Sequence, residues 1–288
     1  MDRKLHWAAA LLASCLASQA AQATCDSKCL ERTLAGYLAQ LVKHDPKPLK
    51  VSPQLIAVEN AVATPLGQGS WQQIDALPAG QHFVDPVNGE AVYFGATHKA
   101  GGTGSIFLRL KVAGGAITES ELLTKGGEPG FNDDVGGLLE PDILYDAVVP
   151  AARRSSRDGL VKVVGAYMDG VSQHNGAIVP VSYRCDRYSA GTKFTNDANH
   201  PVERGGGTCQ TSMNNLKGQA VVNRRFAVVD VEHGIVAALF VIPHGERTPP
   251  GATNVGEIFK VVDGKIRSIE EFSFVGGYPP SSGFADRP

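Results

Sequence analysis

The chain has 288 residues, which is long enough for one large or two ordinary folded domains. Because 43% of the residues are hydrophobic and 19% are charged, the composition is that of a folded chain with a core and not of a disordered one. The formal net charge of −2 argues against a basic nucleic-acid-binding surface and against a polybasic membrane patch. No nucleic-acid partner is therefore expected.

The first 23 residues have the pattern of a signal peptide. Two basic residues near the start precede an apolar run over 7–16, and small residues at 21–23 form a cleavage site. The run is too short to span a bilayer, so no membrane span is expected. Cys15 also ends a stretch that resembles a lipoprotein box, but the apolar run before it is short for lipidation. The pattern therefore favours soluble export, to the exterior or the periplasm.

Four cysteines remain after the signal peptide, and in an oxidising compartment they are expected to pair. Cys25 and Cys29 are one helical turn apart, within bridging range. A Cys185–Cys209 bridge would then close a polar loop and contribute about 3 kcal/mol. A zinc site is the alternative, but no His lies at ligand spacing beside these cysteines. The predicted disulfides are Cys25–Cys29 and Cys185–Cys209.

Residues 24–126 are predicted to form a first α+β unit. Residues 25–43 predict a helix, because apolar residues recur at spacings of three and four along one face. These are Leu30, Leu34, Tyr37, Leu38 and Leu41. Extended segments are predicted at 55–58, 82–84, 90–98 and 105–112, and a Gly-Gly turn leads into a last strand at 116–123.

A Gly/Asp/Pro linker at 126–134 separates this unit from a second one, predicted over 135–288. Helical patterns cover 142–149 and 159–171, and an extended segment follows at 178–183. The polar region 186–215 is predicted to be a loop. A hairpin at 221–242 and two further strands at 255–262 and 265–274 complete the unit.

The two halves repeat each other. A Tyr precedes a His by seven residues at Tyr37–His44 and again at Tyr167–His174. An apolar strand ends at His98 in the first half and at His244 in the second. These matches predict a tandem duplication of one α+β unit.

The terminal hairpins, at 106–123 and 258–272, and the opening helices carry a resemblance to a known superfamily. With the sequence EIFKVVDGKIRSIEEF at 257–272, the chain resembles the nuclear-transport-factor-2-like superfamily, which includes ketosteroid isomerase, scytalone dehydratase and SnoaL-type polyketide cyclases. The resemblance spans nearly all of the mature chain. It implies an α+β fold of two tandem cone-shaped units, each a curved antiparallel sheet wrapped around helices, with a pocket. The second half is similar to a secreted subgroup with a two-arginine strand, an Asp-x-Glu-x-Gly turn and a strand ending at His.

The resemblance also implies a kind of chemistry. Members of this superfamily usually need no metal or organic cofactor: a carboxylate or His moves a proton, and a Tyr, an Arg or a protonated Asp stabilises the developing oxyanion. The implied function is an exported, cofactor-independent acid/base enzyme, a lyase, isomerase or ether-cleaving hydrolase. Its small-molecule substrate would be apolar and aromatic or polycyclic.

The alternative is a non-catalytic ligand-binding or assembly module of the same fold, since sheets of this superfamily often dimerise. A duplicated chain could supply that pairing internally, as a pseudo-dimer. Homo-oligomerisation stays open.

The strongest catalytic candidate is His244, because it ends an apolar strand where a cavity mouth would lie and because His titrates near neutrality. The alternative is a rim His held by a backbone carbonyl.

Arg224 and Arg225 point to opposite faces of their strand, so one of them can enter the cavity. If Asp230 pairs with Ile235, that residue is Arg225; a shift of one residue makes it Arg224. The other arginine is expected to bind an acidic residue such as Glu257 or Glu271.

Three further candidates have competing interpretations. Asp230 either pairs with an arginine or shapes its turn, and the turn is favoured. Tyr167 and His174, two helical turns apart, either line one cavity or belong to the packing. Arg187, beside Cys185, is expected to be a salt-bridged structural residue.

Overall fold

The computed structural model describes residues 25–99, 101–126, 135–139, 143–199, 207–214, 220–244, 251–276 and 284. The predicted signal peptide at 1–23 lies outside these residues. The helices are α1 (Ser27–Val42), α2 (Ile143–Asp146), α3 (Arg157–Gln173) and α4 (Cys209–Asn214). In the described ranges, no helix is both long and apolar enough to cross a bilayer.

The fold is α+β, with two mixed sheets. The strands of the first sheet are β1 (Val51–Glu59), β2 (Val62–Ala63), β3 (Ile74–Ala76), β4 (Gly80–Asp85), β5 (Glu90–Lys99), β6 (Gly102–Ala113) and β7 (Ala116–Gly126). The strands of the second sheet are β8 (Val181–Ser189), β9 (Thr192–Lys193), β10 (Val222–Asp230), β11 (Ile235–Pro243), β12 (Ala252–Val262) and β13 (Lys265–Gly276).

Each sheet contains one parallel pair. The first runs in the order β2-β1-β7-β6-β5-β3, with β4 also paired to β5, and the second in the order β10-β11-β12-β13-β8-β9. β1 is parallel to β7, β8 is parallel to β13, and the other pairs are antiparallel. The prediction of purely antiparallel sheets is wrong for β1 and β8. Each of these strands lies between the short strand that follows it in sequence and the last long strand of its sheet, and it is parallel to that last strand.

The two sheets pack face to face, and each carries a helix on its other side. α1 packs on the first sheet through Leu30, Leu34, Tyr37 and Leu41, as its apolar face predicts. α3 packs on the second sheet through Leu160, Val164, Tyr167 and Val171. Between the sheets lies a third core, to which the first sheet contributes Phe94 and Phe107 and the second Leu239, Ile258 and Phe272. Both sheets are therefore buried on both faces, which explains the long apolar runs in their central strands.

Some predicted elements change at their ends. The helix predicted at 142–149 is shorter, because the chain turns after Asp146 and the Val149 N–H donates to the Glu232 carbonyl at 2.9 Å. The polar region 186–215, predicted to be a loop, contains the end of β8, β9 and α4. The unit boundaries at 24–126 and 135–288 stay predictions.

Both predicted disulfides are present, with Cα–Cα distances of 5.2 Å for Cys25–Cys29 and 5.9 Å for Cys185–Cys209. The second bridge ties α4 to β8. Two disulfides fit an oxidising compartment.

Candidate functional site

His244 lies directly after β11 and is half-buried. Its ring Nε2 is 2.7 Å from the Thr253 hydroxyl of the neighbouring strand, and its backbone N–H donates to the Gly251 carbonyl at 3.0 Å. The residue therefore joins the ends of two adjacent strands. Its ring bonds to a hydroxyl, not to the backbone carbonyl that the rim interpretation proposed.

The two arginines of β10 point to opposite faces of the sheet, and a β-bulge decides which of them faces α3. Asp230 pairs with Ile235, which by simple counting would turn Arg225 towards the helix side. A register shift between Phe226 and Val228 instead pairs Arg225 with Leu239, a residue of the inter-sheet core. Because one extra residue moves a side chain to the other face, Arg224 is the one that points to α3.

Both arginines have acidic partners. The sequence predicted an acidic partner such as Glu257 or Glu271 for one of them, but the partners are other residues. Arg224 donates to Asp169 of α3 at 2.6 Å. Arg225 donates to Glu121 of the first sheet at 2.8 Å, across the inter-sheet core. Arg225 is thus an ion-pair link between the two sheets, and both arginines of β10 are held by carboxylates.

Asp230 and His174 have local structural roles. The Asp230 carboxylate accepts the backbone N–H groups of Glu232 at 2.8 Å and His233 at 3.0 Å, so it shapes the turn. His174 is exposed and has a φ of +52°, and its backbone N–H caps the carbonyls of the last turn of α3. This left-handed conformation takes His174 off the helix face that carries Tyr167, so the two do not line one cavity.

Tyr167 instead belongs to a group of ionisable residues between α3 and the second sheet. We call this group the interior cluster; its members are Tyr167, Arg187, Glu257 and Glu271. The Tyr167 hydroxyl donates to Glu257 Oε1 at 2.9 Å. Arg187 forms an ion pair with Glu271. Glu257 and Glu271 lie directly opposite each other on β12 and β13. Tyr167 and Glu257 are each 1% exposed, so the cluster lies in the protein interior.

Burial sets the protonation states in this cluster. Burial first, and the charge of Glu271 second, raise the pKa of Glu257 to about 8. The Glu257 carboxyl is therefore protonated at neutral pH. Burial, followed by the charge of Glu257, raises the pKa of Tyr167 well above 10. For Arg187, burial lowers the pKa, but the charges of Glu271, Tyr167 and Glu257 and the hydrogen bond to Glu271 together raise it, so the net direction is upward and the guanidinium stays charged.

Two buried polar atoms of the cluster have no hydrogen-bond partner among the described residues. They are Glu257 Oε2 and Arg187 Nε. Leaving a buried polar atom without a partner costs about 1–3 kcal/mol. An arrangement that costs folding energy in this way indicates either an unseen partner or a functional role.

The same positions in the first sheet are apolar. Both terminal hairpins have a bulge at the same point before the turn, after Lys111 in the first and after Lys260 in the second. Alignment at this bulge places Leu108 and Leu122 at the positions of Glu257 and Glu271. By the pairing of the parallel strands, Ala57 takes the position of Arg187.

The first half also has a tyrosine on the buried face of its helix. Tyr37 of α1, the counterpart of Tyr167, lies 2.8 Å from the Ser120 hydroxyl and accepts the Trp71 indole N–H at 3.1 Å. Its partners are neutral, whereas those of Tyr167 are ionisable. The charge of the interior cluster is therefore a property of the second half only.

Arg187 and Glu271 are the members of the cluster nearest the surface, with side chains that are 10% and 13% exposed. The Phe194 ring lies 5.9 Å from the Arg187 guanidinium. Thr195, whose hydroxyl accepts the Arg187 backbone N–H at 2.8 Å, is 4.0 Å from the bridged sulfur of Cys209. The segment after β9 therefore packs on Arg187, and Thr195 connects it to the disulfide-bound α4.

Sequence reasoning named Tyr167 but not the rest of this cluster as functional. Glu257 and Glu271 were considered only as partners of the β10 arginines, and Arg187 only as a structural ion pair. The available signal was an alignment of the two hairpins at their turns, which reveals acidic residues at apolar positions. In the part of the chain that the structure describes, no three His, Cys, Asp or Glu side chains form a group that could hold a metal.

Comparison with known families gives one match. Residues 153–273 match the family described as a domain of unknown function (DUF8021). This segment includes α3 and most of the second sheet, and it contains all four residues of the interior cluster. No curated protein matches the chain.

Proposed function

We propose that this protein is an exported acid/base enzyme that acts on a small apolar compound, with its reactive groups in the interior cluster of the second half. The observation that carries the proposal is the burial of Glu257 beside Glu271, which raises the pKa of Glu257 to about 8 and favours its protonated form at neutral pH. A carboxylic acid held neutral at pH 7 can donate a proton or a hydrogen bond, which an ionised one cannot. Proton transfer of this kind serves lyases, isomerases and ether-cleaving hydrolases alike.

The cluster divides the roles between its members. Glu257 Oε2 carries the proton, because Tyr167 already donates to Oε1. A carbonyl or ether oxygen near Oε2 would receive that proton as negative charge develops on it. Arg187 supplies a fixed positive charge beside this position, and Glu271 holds the guanidinium in place.

The substrate would enter from the side of Arg187 and Glu271. Because Phe194 and Thr195 pack on Arg187 there, entry requires this segment to move aside. The surrounding core is apolar, with Phe240, Val255 and Phe259 on the same face of the sheet as Glu257. That lining favours an apolar, aromatic substrate.

We further propose that the two sheets and their helices descend from one duplicated cone-shaped unit, and that the inter-sheet core is an internal counterpart of a dimer interface. Their shared strand order and shared bulge support this proposal. Under this proposal, the first unit has lost the charged cluster and the second has kept or gained it.

The test is turnover by the mature protein on a panel of aromatic ethers, β-hydroxy carbonyls and polyketide-like compounds. We expect Glu257→Gln to reduce turnover by about 10²- to 10⁴-fold, because the amide keeps a hydrogen-bond donor but cannot transfer a proton. Turnover by the wild-type protein should fall as the pH rises through about 8, where Glu257 ionises.

His244→Ala is the control, since His244 bonds to Thr253 outside the cluster. It should leave turnover unchanged. A Glu257→Gln protein that folds and retains full turnover would refute the acid role of Glu257. Loss of turnover in His244→Ala alone would return the chemistry to the end of β11.

A non-catalytic assembly module is the second candidate. It is favoured by the ion pairs of Arg224 and Arg225, which leave β10 with no unpaired arginine for a substrate. Here the interior cluster would only position α3 on its sheet. No turnover by the wild-type protein on any compound of the panel, with Glu257→Gln as stable as the wild type, would support this alternative.

A further inference from the structure

We infer that the first half carries a separate binding site for a single-chain amphiphile with an anionic head group. The site is a groove between β1, the loop that follows α1 and the segment after β2, which we call the edge groove. Its volume is about 650 Å³, within the range of pockets that hold drug-sized ligands. It shares no residue with the interior cluster, so this inference does not depend on the proposed enzyme.

The lining of the edge groove is mainly apolar. Its larger aliphatic residues include Leu49, Leu55, Ile56 and Leu66, and these four remain only partly buried. Partly exposed aliphatic side chains around one concavity gain free energy when an apolar ligand covers them. Val51, Leu55, Ile56 and Ala57 place the lining along β1, so a ligand chain extended along this strand would contact all four.

Small residues keep the groove open. Ala57 and Ala63 both line it. In the second half, the position of Ala57 is held by Arg187, which extends under the Phe194 ring. The same place on the two sheets is thus filled by protein in one half and left open in the other.

One cationic side chain gives the groove its charge. Lys47 is the only ionisable residue of the lining, and among the described residues its ammonium forms no ion pair. The neighbouring Asp45 uses its carboxylate to accept the Lys47 backbone N–H at 3.1 Å. The other polar lining residue, Thr64, donates its hydroxyl to the Val62 carbonyl at 3.0 Å. An apolar groove with a single unpaired cation matches an alkyl chain that ends in a carboxylate.

The experiment is calorimetric titration of the mature protein with dodecanoate and with dodecanol. We expect dodecanoate to bind at one site per chain and more tightly than dodecanol. Lys47→Gln should weaken dodecanoate about two- to five-fold, as expected for loss of one exposed ion pair, and leave dodecanol unchanged. Lys50→Gln, a charge change outside the groove lining, should alter neither.

Two neighbouring substitutions test the place of binding. Ala63→Trp should fill the groove and weaken both ligands at least ten-fold. Val62→Trp is the matched control, since Val62 is 64% exposed and does not line the groove. Val62→Trp should therefore bind as the wild type does.

Hydrogen exchange on the wild-type protein gives a readout that needs no substitution. Dodecanoate should slow exchange at residues 55–57 and 63–66 and leave residues 187 and 257 unchanged. Absence of saturable binding, equal weakening by both tryptophan variants, or protection confined to the second half would each overturn the inference. The Glu257→Gln variant should bind dodecanoate with unchanged affinity, which separates this site from the proposed enzyme.

Discussion

The interiors beneath the two helices show how one topology accommodates two kinds of chemistry. In the first half, Tyr37 bonds to Ser120 and Trp71, and its surroundings carry no charge apart from the more distant Glu59. In the second, Tyr167 bonds to Glu257, which lies beside Glu271 and Arg187. The strand order and the hairpin bulge are the same in both.

The comparison indicates that the fold does not need the interior cluster. The first half reaches an equivalent arrangement with the buried Leu108 and Leu122 and the half-buried Ala57, none of which carries an electrostatic cost. Buried ion pairs are often no more stabilising than well-packed apolar residues. The charges of the second half are therefore better explained by a function than by stability.

The largest expected effect follows from breaking the cluster. Arg187→Met would leave Glu271 as a buried carboxylate without its cation, and we expect the free energy of unfolding to fall by about 3–5 kcal/mol. Urea unfolding monitored by circular dichroism would measure it. Arg153→Met is the control, because the Arg153–Asp263 pair is on the surface, and it should change stability little.

A triple variant turns the second interior into the first. Arg187→Ala, Glu257→Leu and Glu271→Leu together should be far more stable than Arg187→Met alone and at least as stable as the wild type. A triple variant that unfolds as easily as Arg187→Met would show that the cluster is required for the fold, against the comparison of the two halves.

The second prediction concerns pH. The pKa of Glu257 is about 8 in the folded protein, above its ordinary value of 4.5, so the folded state binds more protons than the unfolded state between these values. This contribution to stability is fully present below pH 4.5 and is lost as the pH rises through about 8. Over that window, Glu257→Gln should gain a few kcal/mol relative to the wild type.

The measurement is denaturant unfolding of both proteins at pH 5 and pH 8.5. The difference between them should grow towards the higher pH. Leu108→Gln, at the equivalent position of the first half, adds a polar group that does not titrate, so its effect should be the same at both pH values. A pH-independent effect of Glu257→Gln would mean that Glu257 is ionised in the folded protein at neutral pH.

The sequence was sufficient for the features that depend on local periodicity. The apolar face of α1, the glycine turn between β6 and β7 and the Cys25–Cys29 disulfide follow from local spacing, and all are present. The Cys185–Cys209 disulfide is the pairing that then remains, and it is present too. The α+β class follows from the order of these elements. The parallel placement of β1 and β8 could not be read this way, because it joins strands that are distant in the chain.

The site was harder to predict, and the reasons are specific. A bulge in β10 reversed the faces of Arg224 and Arg225, and a register shift of one residue has no signature in the strand itself. His174 stands one residue past the helix, where a left-handed φ of +52° removes it from the face it would otherwise share. Glu257 and Arg187 become neighbours only when β8 pairs with β13, which is a long-range event.

The smallest effect, and the most direct comparison of the two halves, comes from removing each helix tyrosine hydroxyl. Tyr37→Phe and Tyr167→Phe should each reduce stability by about 1–3 kcal/mol, because each leaves a buried polar partner unsatisfied.

The two tyrosine variants should differ in their pH dependence. Tyr37 bonds to a hydroxyl and an indole, so the cost of Tyr37→Phe should stay constant from pH 6 to pH 9. Tyr167 donates to a carboxyl that ionises near pH 8, and a hydrogen bond to a charged acceptor is the stronger, so the cost of Tyr167→Phe should rise across the same range. Denaturant unfolding of the two variants at several pH values measures both costs, and parallel curves would mean that the interior of the second half is electrostatically no different from that of the first.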